Sequence, residues 1–172
     1  LMLATVASAT LSGVEGRRVT VEVHVADGLP GFSIVGLPDA SCREARDRVR
    51  AAIVSSGASW PLKRITVNLA PGGLPKAGSG LDLPIALGVL QASGQLPAEL
   101  PAIGGFGELG LDGGVRPVPG ALPLADVVEG DLVLVAAVDA SAAFHVAGDR
   151  VRAVESLSDV FRALVDGEPW PD

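Results

Sequence analysis

The clearest periodicity in the chain is an alternation of apolar and polar side chains near its start. Residues 18–26 read RVTVEVHVA, with valine at every second position. Since neighbouring side chains of a strand point to opposite faces, this pattern predicts a strand with one buried face and places His24 on the other face. Residues 1–11 predict a strand that forms a hairpin with this one, and residues 32–35 predict a third strand.

Helical periodicity follows the third strand and predicts a helix over residues 40–56. Asp39 precedes this helix and is its expected N-cap. The apolar stripe repeats every three or four residues and consists of Ala45, Val49, Ala52 and Ile53. Two ion pairs are expected on the polar face at i, i+4 spacing, Arg43 with Asp47 and Glu44 with Arg48.

The rest of the chain is organised around the stretch from residue 63 to residue 94. Residues 64–69 predict a strand, and residues 70–80, APGGLPKAGSG, form a glycine-rich loop. Asp82 opens a buried helix that ends at Gly94. Because phosphate-binding loops use the same order of strand, loop and helix, the loop is the first candidate site.

The second half of the chain alternates short strands and helices. Strands are expected over residues 103–109, 131–138 and 151–154, and helices over residues 121–128 and 156–165. Ser156 is the expected N-cap of the last helix, with Asp159 in its first turn. This mixture is compatible with an α/β or α+β domain.

The composition supports one domain with an aliphatic core. Of the 172 residues, 48% are hydrophobic but only 3% are aromatic. Length and pattern predict a single domain over residues 1–166 and a tail or linker over residues 167–172. No apolar run reaches the roughly 18 residues of a membrane span, and no signal peptide is recognisable. With Cys42 as the only cysteine, these features predict a cytoplasmic protein.

Charge is distributed unevenly along the chain, whose net charge is −7. Residues 40–76 carry seven basic and two acidic side chains, whereas residues 77–172 carry four basic and fourteen acidic ones. The chain is therefore no general polyanion binder, but its basic segment is a candidate contact for DNA or another partner. The candidate residues are Arg43, Arg46, Arg50, Lys63 and Arg64. The alternative is a solvated helix face of paired charges.

Neither glycine motif of the chain fits a nucleotide site. A P-loop requires G-x-x-x-x-G-K-[ST], but the corresponding residues read GLPKAGS, so the lysine is absent from its position and Lys76 lies inside the loop. Residues 105–110 match G-x-G-x-x-G by letter, but a turn and an extended segment follow where the dinucleotide fold has a helix. Hairpin glycines explain the second motif, and a sharply bent, closely packed loop explains the first.

The glycine-rich loop also contains side chains that a hydrolase would need. The candidate residues are Lys76, Gly78, Ser79, Gly80 and Asp82. Ser79 as nucleophile and Lys76 as base would form a Ser/Lys dyad, provided that the loop turns the two toward each other. Asp82 is expected to cap the helix that it opens rather than to act as a base. No metal site is expected, because one cysteine and two isolated histidines do not supply a ligand set.

Three segments together resemble the magnesium-chelatase-like competence ATPases, the ComM/YifB group. They are VTVEVHVADGLPGFSIVGLPDASCREARDRVRAAI (19–53), RITVNLAPGGLPKAGSGLDLPIALGVLQASG (64–94) and GELGLDGGVRPVPGALPLA (107–125). The resemblance covers nearly the whole chain. It implies the N-terminal ChlI-type domain, which precedes an AAA+ module bearing the P-loop. It also implies an α+β, Lon-protease-like fold, similar to domain 2 of a ribosomal small-subunit protein, with helices packed on a mixed sheet.

The same resemblance places the loop at a former catalytic position. Lon proteases carry their catalytic serine in the loop that here reads PKAGSG, so Gly80, or Ser79 after a shift of one residue, would take its place. The segment GVRPVPGALPLA resembles the one that carries their catalytic lysine, and here Leu122 stands at the lysine's position. Because a serine without that amine is not activated, the resemblance implies that proteolysis is lost.

For the full-length protein, the resemblance implies an ATP-driven hexameric motor that acts on DNA by branch migration during natural transformation. ATP and Mg²⁺ would bind the AAA+ module, and this domain would need no cofactor of its own. It would contribute assembly of the ring or guidance of the DNA, with weak DNA binding at most. Two alternatives stay open here: a Lon-type serine hydrolase that uses Ser79, and a pure protein-interaction domain that packs against the ATPase ring.

Overall fold

A computed structural model describes residues 2–76 and 78–172 of the chain. Its strands are β1 (Leu3–Ser12), β2 (Glu15–Ala26), β3 (Gly31–Val35), β4 (Arg64–Ala70), β5 (Ile103–Phe106), β6 (Glu108–Leu109), β7 (Val115–Arg116), β8 (Leu132–Ala136) and β9 (Val151–Val154). Strands β6 and β7 form a small ribbon, and the others form one sheet in the order β3-β4-β2-β1-β5-β8-β9. The chain therefore builds its fold around one large sheet.

The large sheet is mixed. Strands β1, β2 and β4 are antiparallel neighbours, whereas β3 runs parallel to β4, and β5, β8 and β9 run parallel to one another. Strand β1 joins the two halves through a parallel pairing of Ala7 with Gly104. With helices packed on this sheet, the molecule is α+β, which confirms the predicted fold class.

Helices cover the sheet on both sides. They are α1 (Asp39–Ser55), α2 (Asp82–Ala92), α3 (Ala121–Val127), α4 (Ala140–Ala147) and α5 (Leu157–Leu164). Alternate residues of β8 separate the two layers: Leu134 lies in the larger core with α1, α2 and α5, whereas Val133 and Val135 lie in the smaller core with α3 and α4. Within the described residues, no helix is long and apolar enough to cross a membrane.

The local pattern of the first strands is confirmed by their burial. The alternating valines of β2 are buried in the larger core, and His24 on the opposite face is exposed. At the other end of the chain, residues 167–172 are irregular, and the half-buried Trp170 packs against the same core. The larger core thus draws on residues from almost the whole length of the chain.

The strand expected over residues 103–109 is divided into β5 and β6 at Gly107. The N–H of Gly107 donates to the carbonyl of Gly80 at 2.8 Å, and its carbonyl accepts from the N–H of Leu83 at 3.0 Å. Because these bonds occupy the backbone of Gly107, the ladder of β5 does not continue through it. The glycine motif of residues 105–110 therefore leads into the ribbon of β6 and β7, as the hairpin interpretation predicts.

Other differences from the predicted elements lie at helix starts. Asp39 is the first residue of α1 and not its N-cap, and no side chain caps that helix. Helix α4 was not predicted; its eight residues lack a capping side chain, and they follow a 3₁₀ turn, Ala137–Asp139, that ends β8 earlier than expected. In contrast, Ser156 and Asp159 form a capping box on α5, which confirms the predicted start of that helix.

Candidate functional site at the glycine-rich loop

The loop between β4 and α2, together with the first residue of α2, contains the predicted loop site. Gly78 has a φ of 74°, a left-handed backbone conformation that favours glycine. The carbonyl of Ser79 accepts the N–H of Asp82 at 3.1 Å, which turns the chain into the helix. Residues 78–81 lie against the end of β1 and residues 118–119, and together they form a half-open cavity of about 210 Å³.

Lys76 is buried inside its own loop, with 6% of its surface exposed. Its Nζ donates hydrogen bonds to the carbonyl oxygens of Pro71 at 2.6 Å and Leu74 at 2.8 Å. Burial lowers the pKa of this ammonium group. Lys76 does not line the cavity beside Ser79, so the structure does not support the alternative of a Ser/Lys dyad. The lysine instead binds both ends of the turn formed by residues 71–74 of its own loop.

Asp82 is the first residue of α2, but it does not cap the helix as expected. Its buried carboxylate accepts hydrogen bonds from Nε and Nη2 of Arg48, at 2.6 and 3.2 Å, and from the N–H of Leu109 at 3.1 Å. Loss of hydration on burial raises the pKa of Asp82 to about 6, against the opposing effect of these donors. One carboxylate thus joins α1, α2 and β6 next to the loop.

Arg48 is the residue of this site that sequence analysis missed. Its predicted i, i+4 pair with Glu44 is present at 3.7 Å, but Asp82 is the closer partner. The hydrogen bond with Asp82 is the main reason that the pKa of Arg48 is raised. These two partners are 34 residues apart in the sequence. Periodicity in the sequence cannot predict a contact between residues so far apart. It predicted Arg48 only as one of several charged residues on the polar face of α1.

The cavity beside Ser79 has a mostly apolar wall. Its apolar lining consists of Ala9, Leu11, Leu81, Val118, Pro119 and Leu124, and its hydroxyl groups come from Ser79 and Thr10. Among the described residues, no Lys, Arg, His, Asp or Glu lines it. Leu122 lies in the first turn of α3, 46% exposed and outside the lining. The described lining therefore offers Ser79 no general base.

The candidate basic residues lie in two groups. Arg43, Arg46 and Arg50 belong to α1, and Lys63 and Arg64 lie at the start of β4. Because α1 connects two parallel strands, it runs back along them, and only its end approaches the start of β4. There the guanidinium of Arg50 lies 5.6 Å from the ring centre of Trp60, which anchors the intervening loop against Phe32. Arg50 is thus the helical arginine that borders the loop leading to Lys63 and Arg64.

Several cations of the basic segment are already engaged. Lys63 pairs with Asp27 at 2.5 Å on the surface, and this pairing lowers the pKa of Asp27. Arg48 and Lys76 have the internal partners described above. Arg43 and Arg64 are exposed and Arg46 is half-buried, and the expected pair of Arg43 with Asp47 is not found within the described part of the chain. Less positive charge is available at the surface than the sequence count suggests.

The loop and α1 lie in a part of the chain that is similar to known proteins. Residues 21–136 match the model of the family described as subunit ChlI of Mg-chelatase. Competence protein ComM of Haemophilus influenzae is 42% identical over 174 aligned residues, which cover 99% of this chain and 34% of that protein. YifB of Escherichia coli is 54% identical over 114 residues, covering 66% of this chain and 22% of that protein.

A mycobacterial relative also matches most of the chain. Rv2897c of Mycobacterium tuberculosis is 43% identical over 157 residues, which cover 89% of this chain and 31% of that protein. The chain thus spans only between about a fifth and a third of the length of these relatives. With more than half of its residues matched, this chain belongs to the family of magnesium-chelatase subunit ChlI, with relatives among the ComM and YifB proteins.

Proposed function

We propose that this chain is a non-catalytic accessory domain of a longer, magnesium-chelatase-like AAA+ ATPase that acts on DNA. Membership of the ChlI family supports an ATPase as the whole protein, and a relative named as a competence protein supports a role in DNA uptake or processing. The domain serves assembly of a hexameric ring or guidance of the DNA. Such a motor works in the cytoplasm, where its DNA substrate and ATP are found.

The observation that carries the non-catalytic role is the engagement of both charged residues that flank Ser79. The ammonium of Lys76 is bound to two carbonyl oxygens, and the carboxylate of Asp82 is bound to Arg48. Neither group lines the cavity that contains the serine hydroxyl. A nucleophilic serine requires a base within hydrogen-bond reach, and the described residues of the cavity supply none.

The same geometry argues against ATP at this loop. A phosphate-binding loop needs a lysine that is free to neutralise the phosphates. Lys76 instead satisfies Pro71 and Leu74, and its burial disfavours the charged form. We therefore assign ATP and Mg²⁺ to a separate AAA+ module of the full-length protein, and no step of their chemistry to these residues.

A covalent serine probe tests the non-catalytic assignment. A fluorophosphonate should fail to label the folded chain, and Ser79→Ala should behave like wild type. Labelling of wild type that disappears in Ser79→Ala would overturn the assignment and make the loop a hydrolase site. In the full-length protein, deletion of residues 1–166 should leave a P-loop-dependent ATPase but impair ring assembly or branch migration on forked DNA.

Fluorescence anisotropy with a forked oligonucleotide tests the basic face of α1. We expect weak, salt-sensitive binding, because few phosphates can be neutralised by the exposed cations. Arg46→Glu should weaken it further. Arg17→Glu is the matched control, because it changes the charge by the same amount on β2, outside α1. Equal binding by both variants would exclude α1 as the DNA face and leave a protein-interaction role.

A further inference from the structure

We propose that this chain binds further copies of itself head to tail, with the edge at β3 and α1 of one copy against the edge at β9 of the next. Strands β3 and β9 are the outermost strands of the large sheet, so the two edges lie at opposite ends of the molecule. The inference rests on the assembly role proposed above, and it names the surfaces and the partner that serve this role.

Helix α1 directs a stripe of arginines toward the free edge of the sheet. Arg48 faces α2, where it binds Asp82. With about 100° of rotation per residue, Arg46 lies about 200° from Arg48 around the helix, on the side away from α2. Arg43 and Arg50 are three and four residues from Arg46 and share this side. This arginine stripe beside β3 is the α1 edge.

The arginines of the α1 edge lack an anionic partner in their own chain. Among the described residues, no carboxylate or carbonyl oxygen binds Arg43, Arg46 or Arg50, and the ring of Trp60 is the neighbour of Arg50. Asp39 lies on the same side of α1, at its first residue, so positive charge remains in excess there. Most other basic side chains are bound to carboxylates or carbonyls, among them Arg17, Arg18, Lys63, Arg150, Arg152 and Arg162.

The opposite end of the sheet carries the opposite charge. Asp149 and Glu155 flank β9 on its two sides along the chain, and both are exposed. Val133 of β8 is in register with Val151 of β9, which brings the exposed Asp131 next to Asp149 where the two strands begin. Within the described residues, no basic side chain pairs with these three carboxylates. They form the β9 edge, which complements the arginines of the α1 edge.

Carbonyl groups at both edges are already occupied. The carbonyl of Ile34 on β3 accepts the thiol of Cys42 at 3.3 Å. At the other edge, the guanidinium of Arg152 donates to the carbonyls of Asp149 and Val151. Occupied groups of this kind oppose the addition of another strand to a sheet. Contact between copies therefore falls to the charged side chains rather than to an extension of the sheet.

The position of the two edges selects the symmetry of the contact. A two-fold dimer brings the same surface of both copies together, which here would place like charges against each other. In a head-to-tail contact, the arginines of one copy meet the carboxylates of the next, and each complex keeps one free edge of either sign. Repetition of this contact closes into a ring where the rotation permits.

Sedimentation velocity without DNA or nucleotide measures the association. Wild type should form oligomers between about 0.1 and about 1 mM, as expected for a weak contact. They should dissociate in 1 M salt, where the Debye length falls to about 3 Å. Arg43→Glu and Asp149→Lys should each weaken the association by about threefold or more, because like charges then face each other.

An equimolar mixture of the two variants tests the pairing itself. In the mixture, the reversed α1 edge of Arg43→Glu meets the reversed β9 edge of Asp149→Lys, so association should recover to the wild-type level. The matched controls make the same charge changes elsewhere. They are Arg17→Glu on β2 and Asp126→Lys on α3, both at exposed residues. Each should associate like wild type.

The inference is overturned if wild type stays monomeric at about 1 mM, or if the mixture associates no better than its two components. It is also overturned if either control weakens association as much as the variant it matches. Association that requires a forked oligonucleotide would assign the arginines to DNA instead. If the domain is monomeric but the full-length protein still assembles and hydrolyses ATP, this inference fails while the proposed function stands.

Discussion

The glycine-rich loop is held at its two ends by groups of opposite charge. Before the serine, the ammonium of Lys76 donates to carbonyl oxygens of its own loop. After the serine, the carboxylate of Asp82 accepts from Arg48 on α1 and from the backbone of β6. The first anchor is local and the second spans the domain. A lysine and an aspartate beside a serine look like catalytic residues in the sequence, but here each fixes the shape of the loop.

The domain-spanning anchor should be the more important of the two for stability. Asp82→Ala leaves the partly buried Arg48 and the N–H of Leu109 without their acceptor, and breaking a buried pair in this way costs about 3–5 kcal/mol. Urea unfolding at neutral pH measures the loss. If the free energy of unfolding fell by less than about 1 kcal/mol, water would have to satisfy Arg48 as well as Asp82 does.

The pH dependence of stability isolates the ionisation of the same carboxylate. Burial raises the pKa of Asp82 from 3.8 to about 6, so the folded chain holds this proton more tightly than the unfolded chain. The resulting stabilisation is complete below the unfolded pKa and is lost as the pH rises through about 6. Arg48, Glu108 and Glu44 are the charged groups that act on this pair.

Comparison with Asp82→Asn separates this effect from all other titrations. With its pKa raised from 3.8 to about 6, the folded chain binds the Asp82 proton more tightly than the unfolded chain by about 3 kcal/mol. Between pH of about 4 and about 7, the free energy of unfolding of wild type should therefore fall relative to that of Asp82→Asn by up to this amount. A difference between the two proteins that stays constant with pH would mean that burial does not raise the pKa of Asp82.

The local anchor should affect the loop more than the domain. Lys76→Met removes the donor to the carbonyls of Pro71 and Leu74, and the loss of these two hydrogen bonds near the surface costs about 1–2 kcal/mol. Amide hydrogen exchange should rise in the backbone of the loop while the rest of the sheet keeps its protection. Lys63→Met is the control, since its ion pair with Asp27 is exposed. Equal effects of both substitutions would show that Lys76 does not organise the loop.

Features that depend on residues close together in the sequence could be predicted, whereas contacts between distant residues could not. The alternation in β2 and the capping box of α5 depend on residues a few positions apart, and both are found. The fold class could also be predicted, because the resemblance to a known family rests on three long segments that together cover most of the chain. Helix α4, only eight residues long and without a cap, carries too little periodicity to be recognised.

The site was harder to predict than the fold for the same reason. The sequence identified the loop and its charged residues, but their roles depend on which atoms meet across the domain. Gly107 illustrates this: it seemed to continue a strand, but its backbone binds both sides of the start of α2. The sequence pattern places Arg48 on the polar face of α1, but it does not show that tertiary packing brings Arg48 to Asp82.

The two partners of Arg48 offer the smallest and most direct test of that difference. The side chain of Glu44 is 71% exposed, whereas that of Asp82 is 1% exposed. An exposed i, i+4 pair contributes about 0.3–0.5 kcal/mol, and alanine's higher helix propensity offsets part of that. Glu44→Ala should therefore change the free energy of unfolding by less than about 0.5 kcal/mol, although the sequence pairs Arg48 with this residue. Urea unfolding of Glu44→Ala and Asp82→Ala compares two losses in the free energy of unfolding. One is that of the partner predicted from helix periodicity, and the other is that of the partner found in the structure. If the two losses were similar, Arg48 would be held by the surface pair, and the coupling of α1 to the loop would not depend on Asp82.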